Sequence, residues 1–294
     1  MKDQKIGWIG TGVMGASMCS HILKAGYEVS VFTRSKEKSS DLLKEGAIWC
    51  DNIKSLVEKS DMIFSIVGYP NDVENVYLGS GGVVDSASEG MLLVDMTTSE
   101  PALAKRIATE STKKNIQSLD APVSGGDIGA KHGKLAIMVG GEQQGFSRAE
   151  PFFKLLGENI AHMGGPGAGQ HTKMSNQILI ATTMIGVVES LLYGLKAGLD
   201  QEEIINVIGK GAAGSWSINN LGPRIVKNNF DPGFYIKHFV KDMGIALTEA
   251  KAMNLSLPGL AMAHQFYVAA VAEGFENLGT QGLYKVFARM NEKE

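Results

Sequence analysis

Ile6-Gly7-Trp8-Ile9-Gly10-Thr11-Gly12-Val13-Met14-Gly15, running on to Lys24, is the stretch whose reading decides the fold. A short apolar run is followed by a Gly-x-Gly-x-x-Gly turn, and the turn opens an amphipathic stretch, Val13–Lys24. Glycine triplets are common, so the spacing alone is weak evidence. A strand before it and a helix after it, at the head of a β-α-β unit, is the context that dinucleotide binding requires. Gly10 permits the tight turn, Gly12 lets the backbone approach a pyrophosphate, and Gly15 lets helix and strand pack closely. The helix start then offers free N–H groups and a positive dipole end to the phosphates. Gly10, Thr11, Gly12, Val13, Met14 and Gly15 are accordingly read as cofactor-binding.

Outward from this turn, β-like runs alternate with helical patterns as far as Met163. Val29–Phe32, Met62–Val67 and Leu92–Val94 are mostly apolar without alternation, as strands covered on both faces of a parallel sheet should be, and Ile116–Leu119 is read as a further strand. Amphipathic stretches at Lys36–Glu45 and Pro101–Lys113 separate them. This is a doubly wound α/β (Rossmann) sheet. The pattern changes at Gly164-Gly-Pro-Gly-Ala-Gly169, after which helical periodicity dominates. Residues 170–197 read as one helix of roughly 40 Å at ~1.5 Å per residue, apolar on nearly every side at its centre and so destined for burial between domains or subunits. Further helices are expected at 201–209, 237–253 and 258–275. The chain thus divides into a dinucleotide-binding domain, residues 1–163, and an all-α domain, residues 164–294.

Composition narrows the classes. With 44% hydrophobic and 20% charged residues and a net charge of −3, nothing in the bulk electrostatics recruits nucleic acid or an anionic membrane. Met1–Lys5 is charged and carries no signal-peptide core. The longest apolar run, Ile178–Val188, reads as too short and too polar to span a bilayer. Cys19 and Cys50 lack CxxC or ligand spacing, which fits a reduced cytoplasmic setting. The six histidines show no metal-ligand spacing, so no metal is expected.

The end of the second strand bears on coenzyme choice. An NAD site usually has a carboxylate there for the ribose hydroxyl; this chain has Thr33-Arg34-Ser35. A guanidinium with flanking hydroxyls suits a 2′-phosphate, so NADP is favoured over NAD, although Arg34 as a solvated loop residue or an adenine-stacking one is the open alternative. Val67, closing the strand Met62–Val67, is counted with the cofactor residues.

Two segments carry candidate chemistry. Asp120-Ala-Pro-Val-Ser124-Gly125-Gly126 follows the strand Ile116–Leu119, and its Ser-Gly-Gly end offers a hydroxyl and unobstructed N–H groups, a nest for a carboxylate. A plain strand-to-helix turn would read the same. In Gly167-Ala-Gly-Gln-His-Thr-Lys173-Met-Ser-Asn176-Gln177, the lysine opens a long helix with two amides at i+3 and i+4 on its face. A cation there opposes the helix dipole, which argues against a purely stabilising purpose; a desolvated lysine suits proton transfer. A lysine snorkelling along the surface is equally consistent.

Taken together and in order, Gly10–Gly15, Asp120–Gly126, Gly167–Asn176 and Lys241-Asp242 resemble the β-hydroxyacid dehydrogenase family over essentially the whole chain. That family spans 3-hydroxyisobutyrate dehydrogenases, tartronate semialdehyde reductases and glyoxylate/succinic semialdehyde reductases. The resemblance implies an NAD(P)-dependent enzyme interconverting a small hydroxy acid and its aldehyde. It puts the family's catalytic lysine at Lys173, its substrate-carboxylate loop at Ser124, Gly125 and Gly126, its nicotinamide-side threonine at Thr98 in Asp95-Met-Thr-Thr98, and a lysine near the cofactor at Lys241. Asn176 and Gln177 are read as substrate residues; many members place Asn four residues after the lysine, where this chain has Gln177. Leu278-Gly-Thr-Gln-Gly282 lacks an aspartate often found there. Both departures bear on substrate identity. Trp216, in Gly211–Ser217, is expected to shape the pocket or simply to pack.

Rival oxidoreductase patterns fail. No tyrosine has lysine four residues on, as short-chain dehydrogenases require, and His171 at i−2 from Lys173 points elsewhere on the helix. A non-catalytic NADP-binding sensor or scaffold is the alternative from another class. The long apolar helix further implies a homodimer or homotetramer.

Overall fold

The computed structural model describes residues 3–291. The backbone divides into two compact units, one ending at Lys173 and the other beginning at Met174, so the segment 164–169 lies within the first.

The first unit is built on nine strands: β1 Ile6–Ile9, β2 Val29–Phe32, β3 Ile48–Trp49, β4 Met62–Ser65, β5 Leu92–Asp95, β6 Gln117–Asp120, β7 Val123–Ser124, β8 Leu135–Gly141 and β9 Gly157–Gly164. They lie in the order β3-β2-β1-β4-β5-β6-β8-β7, with β9 also on β8. Every pairing from β3 to β6 is parallel. β8 runs antiparallel to β6 and β7 and parallel to β9. The sheet is therefore the mostly parallel, doubly wound sheet expected, with β8 running against two of its neighbours. The physical reason is the short connection from Ser124 to Leu135: a parallel return needs about a dozen residues or more, and this link is spent on the helix Gly126–His132.

β1, β4 and β5 are buried at every residue, which explains their unalternating apolar sequences. On one face Trp8 and Phe64 stack at 5.7 Å and Phe152 and Phe153 close over them. On the other, Ile63 and Leu93 pack with Leu56, Val73 and Tyr77. Each such side chain contributes about 1.5–3 kcal/mol on burial. Strand order reverses between β1 and β4, so the turn after β1 and the residues after β4 flank the switch point where doubly wound sheets take their ligand. The stretch Lys36–Glu45 is not one helix but a 3-10 turn, Lys36–Ser39, followed by Ser40–Lys44.

A single helix, Ala168–Lys196, leaves the first unit and forms the spine of the second. Around its C-terminal part lie Gln201–Ile208, Trp216–Asn220, Gly222–Val226, Ile236–Ala252, Pro258–Ala272 and Leu283–Met290. Ala181, Met184, Val188 and Leu191 are fully buried among Phe239, Tyr267 and Leu283. By length and composition this helix would suffice to cross a bilayer, which corrects the reading of its apolar run as too short; the burial of these residues gives that apolar character a role inside the unit's own core.

Candidate active site

The glycine turn has the geometry its motif predicts. Gly10 sits at φ +93° directly against the carbonyl of Ile66, so any side chain would collide with the backbone that follows β4. Gly12 is different: a side chain there would meet nothing within 4 Å. Internal packing therefore does not require this glycine, whereas a phosphate approaching the N-terminus of Val13–Lys24 would. The turn thus fits a dinucleotide on an observation independent of the motif. The buried Thr11 hydroxyl is shared with Ser39 at 3.0 Å. Val13 is exposed at the helix start and Met14 packs on the core.

Thr33, Arg34 and Ser35 follow β2 at the surface. The Arg34 side chain is 82% exposed and pairs with Asp72 at 3.0 Å, an acid on the helix Pro70–Leu78 that the sequence did not single out. Val67 follows β4, and its N–H donates to the Thr97 hydroxyl.

The ends of β5 and β6 carry the remaining candidates of the first unit. Thr98 is half-buried in the segment leaving β5. Ser124 ends β7, and Gly125 and Gly126 follow with φ of +130° and +65° at the start of Gly126–His132. Lys173 lies in the second turn of the long helix and is only 6% exposed, which excludes the snorkelling alternative. Burial of an ammonium is costly.

Asn176 and Gln177 continue the same helix face. In the second unit they begin a chain of contacts: Asn176 Nδ2 donates to Gln177 Oε1 at 2.7 Å, Gln177 Nε2 to Asp242 Oδ2 at 2.6 Å, and Lys241 Nζ lies 3.0 Å from Asp242 Oδ1. Gln177 and Asp242 are fully buried, so Gln177 acts as a brace, while Asn176 is half-buried. His238, half-buried beside them, is held below its ordinary pKa by desolvation and by the Lys241 charge. Trp216 opens the helix Trp216–Asn220 and is 66% exposed. Gln281, in the segment lacking the aspartate, is buried and ties the carbonyls of Asn229 and Asp231. Among the described residues no group of three or more His, Cys, Asp or Glu could hold a metal.

A glycine turn at the switch point of a mostly parallel sheet marks a dinucleotide-binding fold, with the Ser124–Gly126 turn and the buried Lys173 as its candidate chemistry. Residues 5–165 match the family model described as the NAD binding domain of 6-phosphogluconate dehydrogenase, and residues 167–287 that described as NAD-binding of NADP-dependent 3-hydroxyisobutyrate dehydrogenase. The chain is 55% identical to the uncharacterized oxidoreductase YkwC of Bacillus subtilis, covering 97% of this chain and 99% of that protein. It is 37% identical to the 2-hydroxy-3-oxopropionate reductase of Escherichia coli, covering 97% and 98%. The structure of Mycobacterium tuberculosis 3-hydroxyisobutyrate dehydrogenase with L-serine aligns with a TM-score of 0.89 at 26% identity, covering 98% and 99%. The chain belongs to the β-hydroxyacid dehydrogenase family. It is a nicotinamide-dependent hydroxyacid dehydrogenase, an oxidoreductase acting on CH–OH groups.

Proposed function

We propose that the chain interconverts a small β-hydroxy acid and its semialdehyde, prefers NADP(H), and uses Lys173 as the general acid/base. The observation that carries this reading is the burial of Lys173 on a helix rooted where the strands of the dinucleotide-binding sheet end. A charge so placed needs a purpose beyond stability. Substrate carboxylate is held by the Ser124 hydroxyl and the Gly125 and Gly126 N–H groups. The nicotinamide supplies or takes up the hydride. During reduction the Lys173 ammonium donates its proton to the carbonyl oxygen; during oxidation the neutral amine accepts the hydroxyl proton. The surface guanidinium of Arg34 receives the 2′-phosphate.

The substrate panel is glyoxylate, succinic semialdehyde, tartronate semialdehyde, methylmalonate semialdehyde and, in the oxidising direction, 3-hydroxyisobutyrate. Following reduced-nicotinamide absorbance with NADPH and NADH in turn, turnover is expected with at least one of these and faster with NADPH. Tight NADPH binding with no turnover of any would favour a non-catalytic nucleotide-binding role.

A further inference from the structure

Two buried carboxylates stand side by side at the ends of neighbouring strands: Asp95 closes β5, Asp120 closes β6, and the two are register partners. Each holds a segment bearing a candidate site residue. Asp95 Oδ1 accepts from the Thr97 N–H at 3.1 Å, next to Thr98. Asp120 accepts from the start of the long helix with both oxygens, Oδ1 from the Gly167 N–H at 2.7 Å and Oδ2 from the Gln170 N–H at 2.8 Å. Gln170, fully buried, joins the two segments: its Oε1 accepts from the Ser99 N–H at 2.9 Å and its Nε2 donates to the Thr97 carbonyl at 2.6 Å. The fit is close. A side chain at Gly169 would collide with the Asp120 and Met138 carbonyls, and one at Gly140 would come within 2.5 Å of Asp120 Oδ1.

We infer that Asp120 is the positioning residue for Lys173, clamping the first turn of its helix to the sheet and doing so only as the carboxylate. The inference rests on the proposed role of Lys173. An ionised carboxyl offers two acceptors to the two N–H groups and complements the helix dipole; a protonated one turns an acceptor into a donor facing an N–H. Burial, and more weakly the charge of Asp95, push Asp120 up to about 6, against the hydrogen bonds from Gly167 and Gln170. The other titratable groups around the clamp are Tyr77, linked through Ser65 to Asp95, the exposed Lys105–His171 pair at 3.4 Å, and His162 on β9, bonded to the Gly141 carbonyl. Protonation of Asp120 thus costs alignment but not stability. Because its folded value lies above the unfolded one, its contribution to stability grows as the pH falls through 6, while the clamp is lost.

Asp120→Asn tests this. Turnover at neutral pH is expected to fall about 10- to 100-fold, the range that a misplaced catalytic group costs, with NADPH affinity unchanged. The acid limb of the wild-type kcat profile, near pH 6, should be absent from the variant. Unchanged turnover, or the same acid limb in the variant, overturns the inference. In wild type, independently of how the variant folds, the Gly167 and Gln170 amide resonances should titrate near pH 6 and exchange faster below it; amides indifferent to pH in that window also overturn it. These amides report the clamp whichever residue transfers the proton, whereas a Lys173 substitution reports the acid/base role whatever holds the helix.

Discussion

Arg34 shows how much one side chain can decide. Its pairing with Asp72 is a surface contact of the kind worth about 0–1 kcal/mol, so a phosphate dianion can displace the carboxylate. Hydrogen bonds to charged groups are worth about 1.5–3 kcal/mol. Arg34→Ala should therefore lower kcat/KM for NADPH by about 10- to 100-fold and leave the NADH value within a small factor. Equal losses with both coenzymes would remove Arg34 from the 2′-phosphate and make it an adenine-side or structural residue. The cation was legible in the sequence because it stands where an acid is expected. Asp72 was not, because the pair joins residues that only the fold brings together. Lys173 was ambiguous for a related reason: its charge and spacing were visible, but only the structure shows that it is buried.

At the scale of elements, legibility followed burial. β1, β2, β4 and β5 announced themselves because strands covered on both faces need largely apolar side chains, whereas β6, Gln117–Asp120, starts with two polar and partly exposed residues. β8 and β9 were harder. Leu135–Gly141 is apolar but ends in two glycines, and Gly157–Gly164 mixes Glu, Asn and His with apolar residues, so neither shows a clean period. The direction of β8 depends on connection length, not on residue pattern. The long helix was recognised, but its first turn illustrates a further limit. Asp120 and Gln170 belong to motifs that were noted for Ser124 and Lys173, yet nothing in either motif says that one docks onto the other. Contact between a strand end and a helix start, with glycine at the point of closest approach, is a property of the tertiary structure.

At the scale of the molecule, the second unit leaves apolar side chains uncovered. Leu179, Tyr193 and Leu195 on the long helix, and Met262, Val268 and Val271 on Pro258–Ala272, remain exposed although the opposite faces of both helices are buried. A symmetric association would cover these side chains. Analytical ultracentrifugation is expected to show a dimer or tetramer; a single monomeric species across the accessible concentrations would refute this.

Proton transfer by Lys173 is tested by comparing Lys173→Ala with wild type in hydride transfer and in NADPH binding. Loss of a general acid/base should cost about 10²- to 10⁴-fold in turnover, with coenzyme affinity nearly unchanged because the glycine turn is intact. Turnover within about tenfold of wild type, or coenzyme binding that collapses with the lysine, would contradict the assignment.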